Sequence, residues 1–362
     1  MLSSRIWMAG VCVVGGVAAA QTISFEEYTP KSTLVVPQNP RTKAKFPFVD
    51  VHGHPRGMGS PEKIDTLVKE MDAMNLRVMV NLDGRSGEKL KATIDHMRGK
   101  YPDRFVVFAN IDFAGIDDPN WGKKTAAQLE QDVRNGASGL KIYKNLGMDV
   151  KDAKGQRVKV DDPRIDPVWA MAGKLKVPVL IHTADPAPFW LPQDRYNERW
   201  LELKEMPGRA RPPERYPPFE VIIAEQHRVF RKHTGTNFIN AHLGWYGNNL
   251  GELGRLMDEM PNMYTEIGAV LAELGRQPRF ARQWFIRYQN RVLFGKDTYT
   301  PSEYPTYFRV LESADEYFDY YRRRHAFWQM YGLDLPDEVL KKLYYKNAAK
   351  LIPAIDIKKF PQ

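Results

Sequence analysis

The sequence predicts an α/β protein in which eight βα units close into a (β/α)8 barrel, and two observations carry that expectation. Short apolar runs rich in β-branched and aromatic residues alternate eight times with amphipathic helical stretches, the rhythm of a parallel sheet. Ionisable residues also recur at the C-terminal ends of those runs, where such barrels keep their chemistry. An open doubly wound sheet is the alternative. It would more readily carry a glycine-rich phosphate loop after the first strand, and none is present.

The elements follow in order. The first strand covers residues 48–51, with Asp50 the one polar member. A helix over 62–74 sets Ile64, Leu67, Val68 and Met71 on one face. The second and third strands are expected at 77–82 and 104–109, with a helix at 90–97 between them. A helix over 126–135 leads to the fourth strand at 139–143, and one over 168–175 to the fifth at 177–182. Helices over 221–233, 250–259 and 279–287 precede strands at 237–242, 263–266 and 291–295. A final helix over 337–351 completes the ring. The strands are apolar almost throughout, as strands buried on both faces must be.

Two segments break the rhythm as long βα-loop insertions. Residues 183–220 hold Phe189, Trp190, Tyr196, Trp200, Tyr216 and Phe219, and residues 298–331 hold Tyr299, Tyr304, Tyr307, Phe308 and Trp328. Each follows the C-terminal end of a strand, so both are expected to wall a substrate. Surface elaboration or a subunit contact is the alternative, and the oligomeric state stays open.

The ends are assigned separately. Residues 1–20 read as a secretory signal peptide: Arg5, an uncharged apolar run over 6–17, then Ala18, Ala19 and Ala20. An uncleaved anchor is the alternative. Cleavage implies an exported protein, periplasmic or extracellular. No later run reaches eighteen apolar residues, so no membrane insertion is expected afterwards. Residues 21–45 read as an extended arm, 46–353 as the catalytic barrel and 354–362 as a tail. Cleavage also removes Cys12, the only cysteine. Any metal ligands must then be His, Asp, Glu or a modified Lys. The net charge of +9 falls to +8 without Arg5. The basic residues are scattered among acids and accompany no recognition motif. Nucleic acid is therefore excluded, and a small-molecule substrate with some anionic character is favoured.

The chemistry begins at FVDVHGH. On a strand, His52 and His54 point to the same side, and two neutral imidazoles there suit a divalent metal. Alone the pair is weak, since eight histidines give one such spacing by chance about one time in six. Its company strengthens it. His182 ends the fifth strand in VPVLIHTADP, His242 the sixth in FINAHLGW, and Asp297 follows the eighth in RVLFGKDTYTP. Polar groups in such places need partners at the barrel mouth. Around them, Arg56, Tyr143, Trp190 and Tyr299 are candidate substrate contacts, and Arg56 could grip a carboxylate through two bonds. His96, His227, His233 and His325 read as surface or helix-end residues, and Asp50 has no assigned role.

These five positions resemble the amidohydrolase superfamily of metal-dependent TIM-barrel enzymes. FVDVHGH, GLKIY, VLIHT and LFGKD are most similar to its amidohydrolase-related (amidohydrolase 2) branch, which includes lactonases, other hydrolases and aromatic-acid decarboxylases. The resemblance implies that His52, His54, His182 and Asp297 hold one divalent ion, zinc or alternatively manganese, with a water in an open position. It implies that Asp297 also takes the proton of the attacking water, and that His242 orients this water or stabilises the oxyanion. Lys141, near the end of the fourth strand, has three readings: a carboxylated bridge to a second ion, a cation for a substrate carboxylate, or a lysine reaching solvent. One ion is the expectation. Lys296 departs from the family, where serine is commoner. The implied activity is hydrolysis of a C–O or C–N bond beside a carbonyl, as in a lactone or cyclic amide. The alternatives are decarboxylation of an aromatic or enoic acid, and a binding protein that keeps the metal without turnover.

Overall fold

The computed structural model describes residues 21–58, 60–325 and 328–361. The expected signal peptide lies outside them. Among the described residues, no helix is long and apolar enough to cross a membrane. The chain forms two compact units that divide after Val36. Residues 21–36 form no helix or strand and hold one turn, in which Tyr28 N donates to Ser24 O. Everything that positions the site lies in the second unit.

The eight expected strands are present. They are β1 (Phe48–His54), β2 (Leu76–Asn81), β3 in two segments (Phe105–Val107 and Ala109–Asn110) and β4 (Leu140–Ile142). β5 (Val179–Ile181), β6 (Phe238–Asn240), β7 (Met263–Glu266) and β8, again in two segments (Val292–Leu293 and Asp297–Thr298), follow. Every neighbouring pair is parallel. The split strands close the ring. The first segment of β3 pairs with β2 and its second with β4, while β8 pairs with β7 and then with β1 through Gly53 and Asp297. All seven residues of β1 are buried, so Phe48, Val49 and Val51 pack in the core while Asp50, His52 and His54 need polar partners there.

Helices α1 (Pro61–Met74), α2 (Gly87–Arg98), α3 (Trp121–Arg134) and α4 (Asp166–Lys174) connect the first five strands. α1 shows how they are built. Pro61 sits in its first turn, where a missing N–H costs nothing, and Asn75 ends it in a left-handed cap at φ 70°. Ile64, Leu67, Val68 and Met71 are its buried face, as the spacing predicts. After β5 the chain adds a short helix, α5 (Trp200–Glu205), before α6 (Phe219–Lys232). Arg199 at the start of α5 is buried and ion-paired to Glu202 at 2.9 Å and to Glu273 at 2.8 Å. Burial of that charge depends on both partners. Glu273 lies on α8 (Leu271–Gly275), which follows α7 (Leu250–Glu259) and precedes α9 (Pro278–Tyr288), so the insertion is bolted to the barrel.

The second insertion differs from expectation. Residues 304–312 are a helix, α10 (Tyr304–Glu312), with Tyr304, Tyr307, Phe308 and Leu311 in the core. Their spacing is helical, and Pro305 is harmless in the first turn. These aromatics are fully buried. They pack around Phe48 and Phe294, whose ring centroids are 4.8 Å apart. A hairpin, β9 (Phe318–Asp319) with β10 (Gln329–Met330), completes the insertion. The expected last helix is α11 (Asp337–Lys341) and α12 (Asn347–Leu351) joined by a π turn over Lys342–Lys346. Leu343 O accepts from Phe294 N at 3.0 Å, and Asn347 Nδ2 donates to Val292 O at 2.8 Å. This helix therefore docks on β8 as expected.

Candidate metal centre

Strand β1 delivers His52 and His54 to one side. Gly53 between them has no room for a side chain, because a Cβ would press on Met79 and on Val80 O. His52 is fully buried. Its Nδ1–H donates to Glu266 Oε1 at 2.9 Å, and its backbone N–H to Asp50 Oδ1 at 3.0 Å. The Nε2 lone pair is thus left facing the barrel axis, 3.6 Å from Asp297 Oδ1. His54 repeats the arrangement. Its Nδ1 lies 2.9 Å from Asp83 Oδ1, and its Nε2 is 3.8 Å from Asp297 Oδ1.

His242 is not the last residue of a strand, as expected, but stands in a turn just beyond β6. His242, Leu243, Gly244 and Trp245 all have left-handed φ, between 54° and 62°. Such backbone costs about 1 kcal/mol or more for each residue other than glycine. The surroundings hold it. His242 N donates to Glu266 Oε1 at 2.7 Å, and its Nδ1–H to Gly268 O at 2.8 Å. Trp245 stacks on the imidazole at 4.6 Å and donates from Nε1 to Thr183 O at 3.1 Å. Gly244 is required, since a Cβ there would overlap the Asn240 amide. His242 Nε2 lies within hydrogen-bond reach of His182 Nδ1, at 3.4 Å, and His182 Nε2 is buried with no hydrogen-bond partner among the described residues.

His52, His242 and Asp297 form the tightest set, with one ligand atom from each within 4.8 Å of the others. Ligands about 2.1 Å from a tetrahedral zinc sit about 3.4 Å from one another, so small side-chain movements would close the set on an ion. The charge states suit one. Burial, with Lys141 and His242 nearby, keeps the pKa of His52 well below 6.5, and burial does the same for His182. Both are therefore neutral, the ligand form. Burial alone would raise the pKa of Asp297, but His52, His242, His54 and Lys141 hold it at about 2, as a carboxylate. The residues fit a divalent ion that prefers imidazole and carboxylate, zinc or manganese.

Lys141 does not reach solvent. It is buried, with Nζ 3.4 Å from His52 Nε2 and 5.4 Å from the Tyr143 ring centroid. Burial lowers its pKa to about 8 against the pull of Asp297, Glu266 and Asp83. Tyr143 donates its hydroxyl to Asp83 Oδ1 at 2.6 Å and so borders the cluster. Arg56 lines a cleft of about 760 Å³ together with Asp83 and Tyr143. Two other expected substrate contacts have their polar atoms bonded within the protein. Trp190 donates to Pro217 O at 2.8 Å and packs on Phe219 inside the insertion. Tyr299 donates to Glu70 on α1 at 2.9 Å. Lys296 points away from Asp297 along β8, into a cage of Tyr304, Tyr307 and Tyr321, and pairs with Glu303.

Two residues that organise the cluster have no place in the sequence reading. Glu266 ends β7 fully buried, and one oxygen accepts from both His52 and His242 while the other accepts from Gly268 N. Gly295 leaves space for it, since a Cβ there would overlap Glu266 Oε2. Asp83 does for His54 what Glu266 does for His52. Both are carboxylates at the end of an apolar run, the signal that marks Asp297. Asp50 now has a position too. It joins His52 N, Lys296 N and the Tyr304 hydroxyl, and burial raises its pKa to about 6.

The fold has solved counterparts. An uncharacterised TIM-barrel protein from Bordetella bronchiseptica is 18% identical, with TM-score 0.51, over 85% of this chain and 99% of that one. A putative amidohydrolase from Staphylococcus aureus is 16% identical, with TM-score 0.52, over 84% and 99%. A dihydroxybenzoic acid decarboxylase from Polaromonas sp. JS666, solved with manganese and 2-nitroresorcinol, is 15% identical, with TM-score 0.52, over 84% and 96%. At these identities the likeness concerns the barrel alone. No curated protein matches the chain. A family model described as amidohydrolase matches residues 48–354, and the chain accordingly belongs to the amidohydrolase family.

Proposed function

We propose that the protein is a metal-dependent hydrolase that cleaves a C–O or C–N bond beside a carbonyl, in a lactone or cyclic amide. The observation that carries this reading is the convergence of His52, His242 and Asp297 within 4.8 Å. His54 and His182 are the adjoining donors, at 3.8 Å from Asp297 and 3.4 Å from His242. His242 thereby moves from a water-orienting role toward the ligand set. A bound ion supplies Lewis acidity and makes water acidic enough to attack at neutral pH. Asp297, ionised and partly exposed, accepts the proton of the attacking water. Trp245 and the barrel wall keep bulk water from His242. The leader-like composition of residues 1–20 supports an exported enzyme.

A second reading, decarboxylation, is favoured by Lys141. Its amine stands 3.4 Å from His52 Nε2, where a substrate carboxylate would meet both the ion and a cation. The Polaromonas neighbour, whose name states such a reaction, adds only a shared fold. A single panel separates the readings. Purified protein is incubated with γ- and δ-lactones, cyclic amides and hydroxybenzoates, and both acid release and carbon dioxide are measured. Hydrolysis predicts acid release from a lactone or cyclic amide, abolished by a chelator and restored by zinc or manganese. Carbon dioxide from a hydroxybenzoate, with no lactone opened, would contradict it.

A further inference from the structure

We propose that Lys296 is a positioning residue for Asp297: its buried amine, held by Glu303 in a tyrosine cage, fastens the backbone just beyond Asp297 and so fixes where the carboxylate sits. The inference rests on the reading of a metal centre given above and gives a task to the residue that precedes its carboxylate.

Asp297 needs holding. Its φ is 80°, in the left-handed region, which a residue with a side chain keeps only where its surroundings impose it. It opens the second segment of β8, after the break that follows Leu293. There Gly53 pairs with Asp297 and His54 with Thr298, so the placement of this segment sets the carboxylate against both histidines of β1. Asp297 Oδ1 stands 3.6 Å from His52 Nε2 and 3.8 Å from His54 Nε2.

Lys296 grips the segment from both flanks. Ahead of Asp297, Lys296 N donates to Asp50 Oδ1 at 3.1 Å. Beyond it, Lys296 Nζ donates to Thr298 O at 3.1 Å. One residue thus brackets Asp297 with its main chain and its side chain. Asp50 is itself secured, since its other oxygen accepts from the Tyr304 hydroxyl at 2.6 Å. Its Oδ1 also accepts from His52 N at 3.0 Å, so one carboxylate sets the backbone of His52 and of Lys296 together.

The amine is built into its place. The Lys296 side chain is fully buried, and a buried ammonium is costly unless it is paired. Glu303 supplies the opposite charge, and the same oxygen accepts from Arg322 at 3.1 Å. The ring centroids of Tyr304, Tyr307 and Tyr321 lie 5.7, 5.8 and 5.7 Å from Nζ, within reach of a cation–π attraction. Two of these rings are pinned by their hydroxyls, Tyr304 on Asp50 and Tyr307 on Ala269 N at 3.0 Å. An apolar side chain could fill such a cage. What the amine adds is the pair with Glu303 and the bond to Thr298 O. Glu303 and all three tyrosines belong to the second insertion, which therefore reaches the metal centre through Lys296.

Zinc affinity, read by competition with a chelator on the full chain, tests this in a double-mutant cycle. Lys296→Met keeps most of the side chain and deletes the amine. It is expected to weaken zinc binding about tenfold, the lower end of the loss seen when a group behind a metal ligand is removed. In the Asp297→Asn background the same substitution should cost less than about twofold, because its effect passes through the carboxylate. A crystal structure of metal-free Lys296→Met should show Asp297 outside the left-handed region. Lys296→Met combined with Glu303→Gln removes both charges, and it carries the same comparisons if the single variant does not fold. Unchanged zinc affinity in Lys296→Met, an equal loss in both backgrounds, or an Asp297 that keeps its φ would overturn the proposal. Those results leave the metal centre standing. A wild type that takes up no zinc, or an Asp297→Asn variant that binds it as tightly, sinks the reading beneath.

Discussion

Replacing Asp297 with Asn should lower turnover about a thousandfold, on whichever substrate the wild type converts. The amide cannot accept the proton of the attacking water, and general base catalysis alone is worth about 10²–10⁴ in rate. The side chain is suited to that task by its surroundings. Three imidazoles and the Lys141 amine hold its pKa at about 2 although burial works in the opposite direction. The substitution is nearly isosteric, and circular dichroism should show an unchanged fold. A variant that keeps near-normal rate would remove Asp297 from the chemistry. One that loses all bound metal would show that its first task is holding the ion.

The second large effect is expected at a residue that touches no substrate. Glu266→Gln should weaken metal binding about 10- to 100-fold, the usual consequence of losing a partner behind a ligand histidine. One carboxylate oxygen holds both His52 and the His242 backbone, so a single substitution reaches β1 and the left-handed turn after β6 together. The Gln amide also turns a donor toward an N–H, either at Gly268 or at His52 and His242. A buried donor left unpaired costs about 1–3 kcal/mol. Competition with a chelator reads the first effect, and thermal unfolding of the metal-free protein reads the second. Unchanged metal affinity would reduce Glu266 to a packing role.

The sequence shows the barrel because both-face burial writes a distinctive pattern, short apolar runs at regular spacing. It shows His52, His54, His182, His242 and Asp297 because polar residues at the ends of such runs are conspicuous. Glu266 carries the same mark in MYTE, but its role depends on partners 214 and 24 residues away, which no local pattern records. α10 is obscured by its own composition: aromatic density and Pro305 resemble a loop, although Tyr304, Tyr307, Phe308 and Leu311 keep helical spacing. The turn at His242 has no signature beyond Gly244, since His, Leu and Trp rarely adopt that backbone. The partners of Trp190 and Tyr299 are hidden for a related reason. Their polar atoms are satisfied by Pro217 and Glu70, partners set by tertiary structure.

Anomalous diffraction from crystals grown with zinc or manganese is the most direct examination of the centre. One peak per chain is predicted, about 2.0–2.3 Å from His52 Nε2 and from an Asp297 carboxylate oxygen, with His242 Nε2 in the same shell. A chain with no peak among these residues, or with the ion bound elsewhere in the barrel, would contradict the assignment.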